Sequence, residues 1–303
     1  MTLAAAEPVS GNAHQSYLDR LAARSAATRT VLCLGLDPDP AALPRGFSPD
    51  ARGVEAFAGL VLEAALPFAA AVKPNLAFYE AFGSDGLAAL ERLRRRISSD
   101  VPVIVDAKRG DIGSTAARHA IALFDVLGAD AVTVNPYLGE EAIAPLLERT
   151  DRFAYVLCRT SNPGAGELQS LVVAPDAAEG FPPEPLWARV ARRAQGWGPG
   201  ETVGLVVGAT APTELVEVRQ IAPGIPFLVP GLGAQGGNVD AVLRSGFATA
   251  PPAVGRRGAG LLVNVSRAIA TPPAAAGELR STDPGERIAR AARDWAERLP
   301  VLP

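Results

Sequence analysis

Cysteine and histidine are scarce in this chain, with two of each in 303 residues. His14 and His119 stand alone, and no His/Cys/Asp/Glu cluster has metal-ligand spacing, so no metal site is expected. Cys33 and Cys158 both lie in apolar runs. That placement excludes a disulfide framework and predicts buried free thiols in a reducing cytoplasm. Charge of one sign is also lacking: 29 Lys and Arg against 32 Asp and Glu leave a formal charge of −3. No basic stripe is present to bind nucleic acid or an anionic membrane, and Arg92–Arg96 reads as a solvated helix face. The first 30 residues lack a basic start and an apolar core, so no secretory signal is expected. No uninterrupted apolar run is long enough to span a bilayer. These absences predict a soluble cytoplasmic protein.

What is abundant is apolar surface for one large core, at 48% hydrophobic residues. Short apolar runs alternate with helical periodicity throughout, which predicts a parallel α/β fold. The predicted strands are Val31–Leu36, Ala70–Lys73, Val101–Val105, Ala131–Asn135, Phe153–Leu157, Val203–Val207, Pro226–Val229 and Gly260–Asn264. Helical patterns include Val54–Leu66, Tyr79–Ile97, Ser114–Leu127, Glu140–Glu148 and Arg287–Leu299. Eight such units predict a single (β/α)₈ TIM barrel domain over 1–303, and 303 residues is an ordinary length for one. An open doubly wound sheet is the alternative, but Gly35-Leu36-Asp37-Pro38 carries no G-x-G-x-x-G fingerprint. An N-terminal extension over 1–28 contains an extra helix near Ser16–Ala26. Two connections are long: Ser161–Pro185 after the fifth strand reads as a lid, and Phe247–Gly258 as a plain surface loop.

The densest chemistry is in Val103-Ile-Val-Asp-Ala-Lys-Arg-Gly-Asp-Ile-Gly-Ser-Thr115. Side chains alternate along a strand, so Asp106 and Lys108 share a face at its carboxyl end, with Asp111 just beyond. Catalytic groups of α/β barrels converge on such strand tips. A surface ion pair would give the same triplet, but nearly every other tip is polar as well. The tips carry Asp37, Lys73-Pro74-Asn75, Asn135, Arg159-Thr160-Ser161, Gln235 and Asn264-Val-Ser266-Arg267. Gly231, Gly233, Gly236 and Gly237 let backbone N–H groups approach an anion, and Arg267 on the next strand can add a bidentate contact. Together they predict a phosphate site.

Asp106-Ala-Lys108-Arg-Gly-Asp111-Ile-Gly-Ser-Thr115 resembles the signature of the orotidine 5′-phosphate decarboxylase family, in its longer bacterial subgroup. Leu34-Gly-Leu-Asp37, Lys73-Pro-Asn75, Pro230-Gly-Leu-Gly-Ala-Gln235-Gly-Gly and Asn264-Val-Ser-Arg267 match the same family in the same order. The resemblance implies a dimeric barrel converting orotidine 5′-monophosphate to uridine 5′-monophosphate and CO₂, the last step of de novo pyrimidine biosynthesis, without cofactor or metal. It implies that Asp37 and Lys73 bind the ribose region, with Asn75 beside them, and that Asp106 faces the substrate carboxylate. Lys108 would protonate the carbon that loses CO₂, and Asp111 and Thr115 would serve the partner's site. Gln235, Gly236 and Arg267 would hold phosphate, and Ser161 would read the pyrimidine, although Arg-Thr-Ser-Asn-Pro-Gly departs from the shorter enzymes' pattern. The alternatives are a Mg²⁺-dependent sugar-phosphate decarboxylase or aldolase of the same superfamily, and a non-catalytic phosphate-binding barrel. By resemblance, the former carries an acidic metal ligand after the second strand, where this chain has Lys73.

Overall fold

The computed structural model describes residues 15–233, 236–272 and 283–302, so residues 1–14 of the expected N-terminal extension lie outside it. The chain begins α1 (Tyr17–Thr28), β1 (Leu32–Leu36), α2 (Ala51–Ala65), β2 (Ala71–Pro74), α3 (Ala77–Glu80), α4 (Gly83–Arg95), β3 (Ile104–Arg109), α5 (Gly113–Ala120), β4 (Ala131–Val134) and α6 (Ala144–Leu147). It continues β5 (Phe153–Arg159), α7 (Gly166–Gln169), β6 (Val172–Val173), β7 (Glu184–Pro185), α8 (Leu186–Ala194), β8 (Val203–Val207), α9 (Pro212–Ile221), β9 (Phe227–Val229), α10 (Val239–Gly246), β10 (Leu261–Val265), α11 (Arg267–Ala270) and α12 (Pro284–Arg298).

Eight of these strands form one parallel sheet in the order β2-β1-β10-β9-β8-β5-β4-β3. Parallel bridges Val72–Val103 and Asn75–Asp106 join its two ends. The result is the expected (β/α)₈ TIM barrel. Alternation along each strand sorts its side chains. Leu32, Leu34 and Leu36 of β1 pack outward among Val54, Phe57 and Val61 of α2. Cys33, Ala71, Ile104, Ala131, Phe153, Tyr155, Val206, Leu228 and Leu262 fill the barrel interior.

The extra helix α1 plugs the amino end of that interior. Ser16 caps it, its hydroxyl accepting from Asp19 N–H at 3.2 Å, and Tyr17, Leu18 and Leu21 enter the interior cluster. Tyr17 stacks on Phe153 with centroids 4.7 Å apart, and its hydroxyl lies 3.1 Å from that of Tyr155. Arg20 pairs with Asp130 at 2.6 Å, just before β4 begins. Water is thus excluded from one end, and the polar strand tips remain at the other.

Several predicted boundaries move, each for a local reason. The third strand runs over Ile104–Arg109 rather than 101–105, so Asp106 and Lys108 belong to the strand itself. The pattern over 79–97 is two helices, broken where Gly83 adopts φ +60°. The pattern over 140–148 shrinks to Ala144–Leu147, with Pro145 in its first turn, where a missing N–H is tolerated. The 114–127 pattern holds, but its second half, Ile121–Val126, is π-helical.

The long connection 161–185 contains α7 and the antiparallel pair β6–β7. Its distal half is stapled to α8. Buried Glu184 accepts from Arg189 Nε at 2.8 Å and Arg192 Nε at 2.6 Å, and Arg193 reaches Asp176 at 2.6 Å. The second long connection, 247–258, is tied down by Arg256, which pairs with Asp19 and Glu201 at 2.6 and 2.9 Å.

Candidate active site

At the carboxyl ends of β2, β3 and β4 the chain builds one charge network. Asp106 is the hub. Its Oδ2 accepts from Lys73 Nζ at 2.9 Å and its Oδ1 from Lys108 Nζ at 2.6 Å. Thr133 Oγ1 donates to the same Oδ1 at 2.9 Å. Asp106 and Lys108 thus meet, although Lys108 stands at a shift in strand register with a left-handed backbone rather than in regular alternation, and Lys73 pairs with Asp106. Lys73 is 3% exposed. Burial opposes its charge, but the Asp106 and Asp37 carboxylates overcome that and raise its pKa. Burial likewise opposes ionisation of Asp106, and the flanking Lys73 and Lys108 ammoniums still hold it well below the carboxylate range. Half of the Lys108 side chain remains exposed, facing the mouth.

Around this hub the backbone is packed closely. A Cβ on Gly110 would stand 2.6 Å from the Asn135 carbonyl, and one on Gly35 would stand 2.5 Å from Ser266 Cβ. Only glycine lets those tips converge. Asp37 Oδ1 accepts from Asn75 N–H at 3.1 Å, tying the β1 and β2 tips. The Asn75 side chain accepts from Ala77 N–H at 3.2 Å, at the start of α3. A cavity of about 300 Å³ runs between Asp37, Asp39, Phe57, Phe78, Ser266 and Arg267. Beside it, Ser266 Oγ and Asn264 Oδ1 are buried without a hydrogen-bond partner among the described residues.

The match to known proteins agrees with this geometry. Residues 30–281 match the family described as Orotidine 5′-phosphate decarboxylase / HUMPS. The chain belongs to that family. It is 45% identical over 287 residues to the orotidine 5′-phosphate decarboxylase of Thermomicrobium roseum, covering 94% of this chain and 96% of that protein. To the enzyme of the same name from Halorubrum lacusprofundi it is 48% identical over 255 residues, 84% of this chain and 87% of the other. The solved OMP decarboxylase of Leishmania donovani superposes with a TM-score of 0.76 at 37% identity, covering 93% of this chain and 96% of that one.

Asp111 follows the β3 tip, and its Oδ1 accepts from Ile112 N–H at 2.7 Å. Lys108 forms an ion pair with Asp106. Thr115 sits in the first turn of α5. Ser161 lies at the same mouth, packed against Gly208, where a Cβ would be 2.8 Å from it. Its neighbour Thr160 is pinned by Gln169, whose amide nitrogen donates at 2.8 Å. Arg267 starts α11 and is exposed to the cavity. Gly231, Gly233 and Gly236 all have positive φ, as a tight glycine turn requires. Gln235 lies outside the described residues.

Thr133 was missed by sequence reasoning, although it is the single polar residue in the strand Ala131-Val-Thr-Val134. Neither cysteine supplies a nucleophile, since burial pushes both Cys33 and Cys158 up to about 12. Among the described residues no three His, Cys, Asp or Glu side chains come together as a metal site.

Proposed function

We propose that this chain catalyses the decarboxylation of orotidine 5′-monophosphate to uridine 5′-monophosphate and CO₂. The observation that carries the reading is the Lys73–Asp106–Lys108 network at the barrel mouth, in a chain 41% to 48% identical to several orotidine 5′-phosphate decarboxylases. In this reading the phosphoribosyl group lies between Asp37 and Arg267, with Lys73 and Asn75 near the ribose and Gly236 near the phosphate. Ser161 contacts the pyrimidine.

The chemistry then needs no electron sink. Loss of CO₂ leaves an electron pair on a ring carbon, and the Lys108 ammonium stands beside that position with a charge and a proton. The C–C bond breaks, CO₂ departs, and the carbon takes the proton from Nζ. Preorganised charge of this kind is often the largest catalytic contribution. Asp106, already ionised, faces the substrate carboxylate and disfavours it relative to the neutral product. Lys73 holds Asp106 in place and neutralises it on the far side. An ammonium in that position, already bonded to Asp106, also works against a Mg²⁺-dependent sugar-phosphate reaction.

The active unit in this reading is a two-fold dimer with shared sites. Asp111 and Thr115 reach the partner's substrate, and Ile112, Tyr137 and Leu138, which are 65%, 77% and 57% exposed, supply apolar surface beside them. No described helix is long and apolar enough to cross a membrane. A cytoplasmic location and no nucleic-acid partner fit the two unpaired buried cysteines and the acidic balance. The decisive assay follows the absorbance change of orotidine 5′-monophosphate with and without EDTA. Turnover in both supports the reading; no turnover, or turnover abolished by EDTA, overturns it.

A further inference from the structure

Lys108 has φ +48°, a left-handed backbone uncommon for a residue with a side chain. It is held there by a bulge. Val105 of β3 pairs with Val132 of β4 and Arg109 pairs with Val134, so Asp106, Ala107 and Lys108 all stand opposite Thr133. A bulge removes ladder partners from the strand that carries it. The Lys108 N–H is satisfied by a side chain instead, donating to Thr133 Oγ1 at 3.0 Å. The same hydroxyl gives its own proton to Asp106 Oδ1 at 2.9 Å, the atom on which Lys108 Nζ rests at 2.6 Å. Thr133 is 2% exposed, so it has no access to a substrate of its own.

We propose that Thr133 is a positioning residue for the reaction: its hydroxyl closes a ring through the Lys108 backbone, the Lys108 ammonium and the Asp106 carboxylate. The inference rests on the decarboxylase reading above. Valine has the same shape without the hydroxyl. In its place the Lys108 N–H would be unpaired, and Asp106 Oδ1 would keep Lys108 as its one holder on that side. Both groups would then be free to rotate from where the reacting carbon needs them, while the binding groups around Asp37 and Arg267 would be untouched. Serine would keep both hydrogen bonds.

The test compares wild type, Thr133→Val and Thr133→Ser by steady-state kinetics, by equilibrium binding of uridine 5′-monophosphate and by chemical denaturation. Thr133→Val is expected to lower kcat by roughly 10- to 100-fold, the scale of a small misplacement of reacting groups. Its affinity for the nucleotide should stay within about twofold of wild type, because uniform binding is unaffected. Thr133→Ser should recover most of kcat. Should Thr133→Val be recovered unfolded, Thr133→Ala against Thr133→Ser is read with the same expectations. A folded Thr133→Val with wild-type kcat, or a folded Thr133→Ser that recovers nothing, overturns the inference alone. A wild type without turnover overturns the decarboxylase reading itself.

Discussion

A single carboxylate, Asp106, carries two ammoniums at the barrel mouth, and the consequences differ for each partner. Lys108 is the half-exposed one, and in the decarboxylase reading it delivers the proton. Lys108→Ala is therefore expected to reduce kcat by at least 10²–10³, the usual loss for one preorganised electrostatic group, with the fold retained. Steady-state rates on the folded variant check this, and retention of about a tenth of activity would be far outside that range. Lys73 is the buried partner, and its pairing makes Asp106 a stability group as well. A carboxyl held below its unfolded value stabilises the fold above pH ~3.9 and loses that contribution as pH falls further. An ammonium raised above its unfolded value stabilises below pH ~10.4 and loses it as pH rises through the folded value. The pair therefore contributes fully at neutral pH. Asp106→Asn leaves Lys73 buried and under-compensated, which should destabilise at pH 7 by about 3 kcal/mol or more. Below pH ~3.9 the gap from wild type should narrow, because the unfolded wild-type chain then takes up a proton at Asp106 that the folded state does not bind. Denaturant titrations at pH 7 and pH 3 measure both; a gap independent of pH would contradict the assignment.

Among elements, the two ends of the barrel do different work. At the amino end Arg219 of α9 is buried with its guanidinium against carbonyl oxygens: Ile225 at 2.7 Å, Ala222 at 2.9 Å and Gly246 at 2.5 Å. It also lies 3.5 Å from the Phe227 ring centroid. These contacts join the ends of α9 and α10 to the start of β9. Arg219→Met is expected to lower stability by about 2–4 kcal/mol, since several buried carbonyls lose their donor. Its kcat should be unchanged, because the residue is at the end opposite the chemistry. At the carboxyl end, α11 presents Arg267 beside the cavity that leads to Asp37. Arg267→Ala is expected to lower kcat/KM for orotidine 5′-monophosphate by 10²-fold or more, through lost charge-assisted contacts to phosphate. Orotidine, which lacks the phosphate, should respond far less to the substitution. Equal effects on both substrates would move the phosphate site elsewhere.

For the whole molecule, the question is whether one chain completes a site. Asp111 lies just past the β3 tip and accepts from the N–H of Ile112, an apolar residue that is exposed. A shared site predicts complementation. Lys108→Ala and Asp111→Ala chains, each inactive alone, should regain activity when mixed and allowed to exchange. Hybrids carry one site with both lesions and one with neither, so random pairing of an isologous dimer should restore roughly a quarter of wild-type sites. Demonstrated exchange without recovered activity would rule out the composite site.

Much of this was legible in the amino-acid order because its determinants are local. The order Asp-Ala-Lys put Asp106 and Lys108 at one strand tip, apolar runs marked eight strands, and the same runs marked Cys33 and Cys158 as buried. Positions that depend on a neighbouring strand were not legible. The β3 bulge, the left-handed Lys108 and the role of Thr133 exist only because β3 and β4 pair out of step, and register is a property of two strands together. The pairing of Lys73 with Asp106 follows from where backbones converge across the barrel mouth. The plug made by α1 follows from closure, since Tyr17 meets Phe153 only once eight strands have formed a ring. Sequence determined which groups sit at the strand tips; the tertiary structure decided which of them touch, because those contacts join residues far apart in the chain.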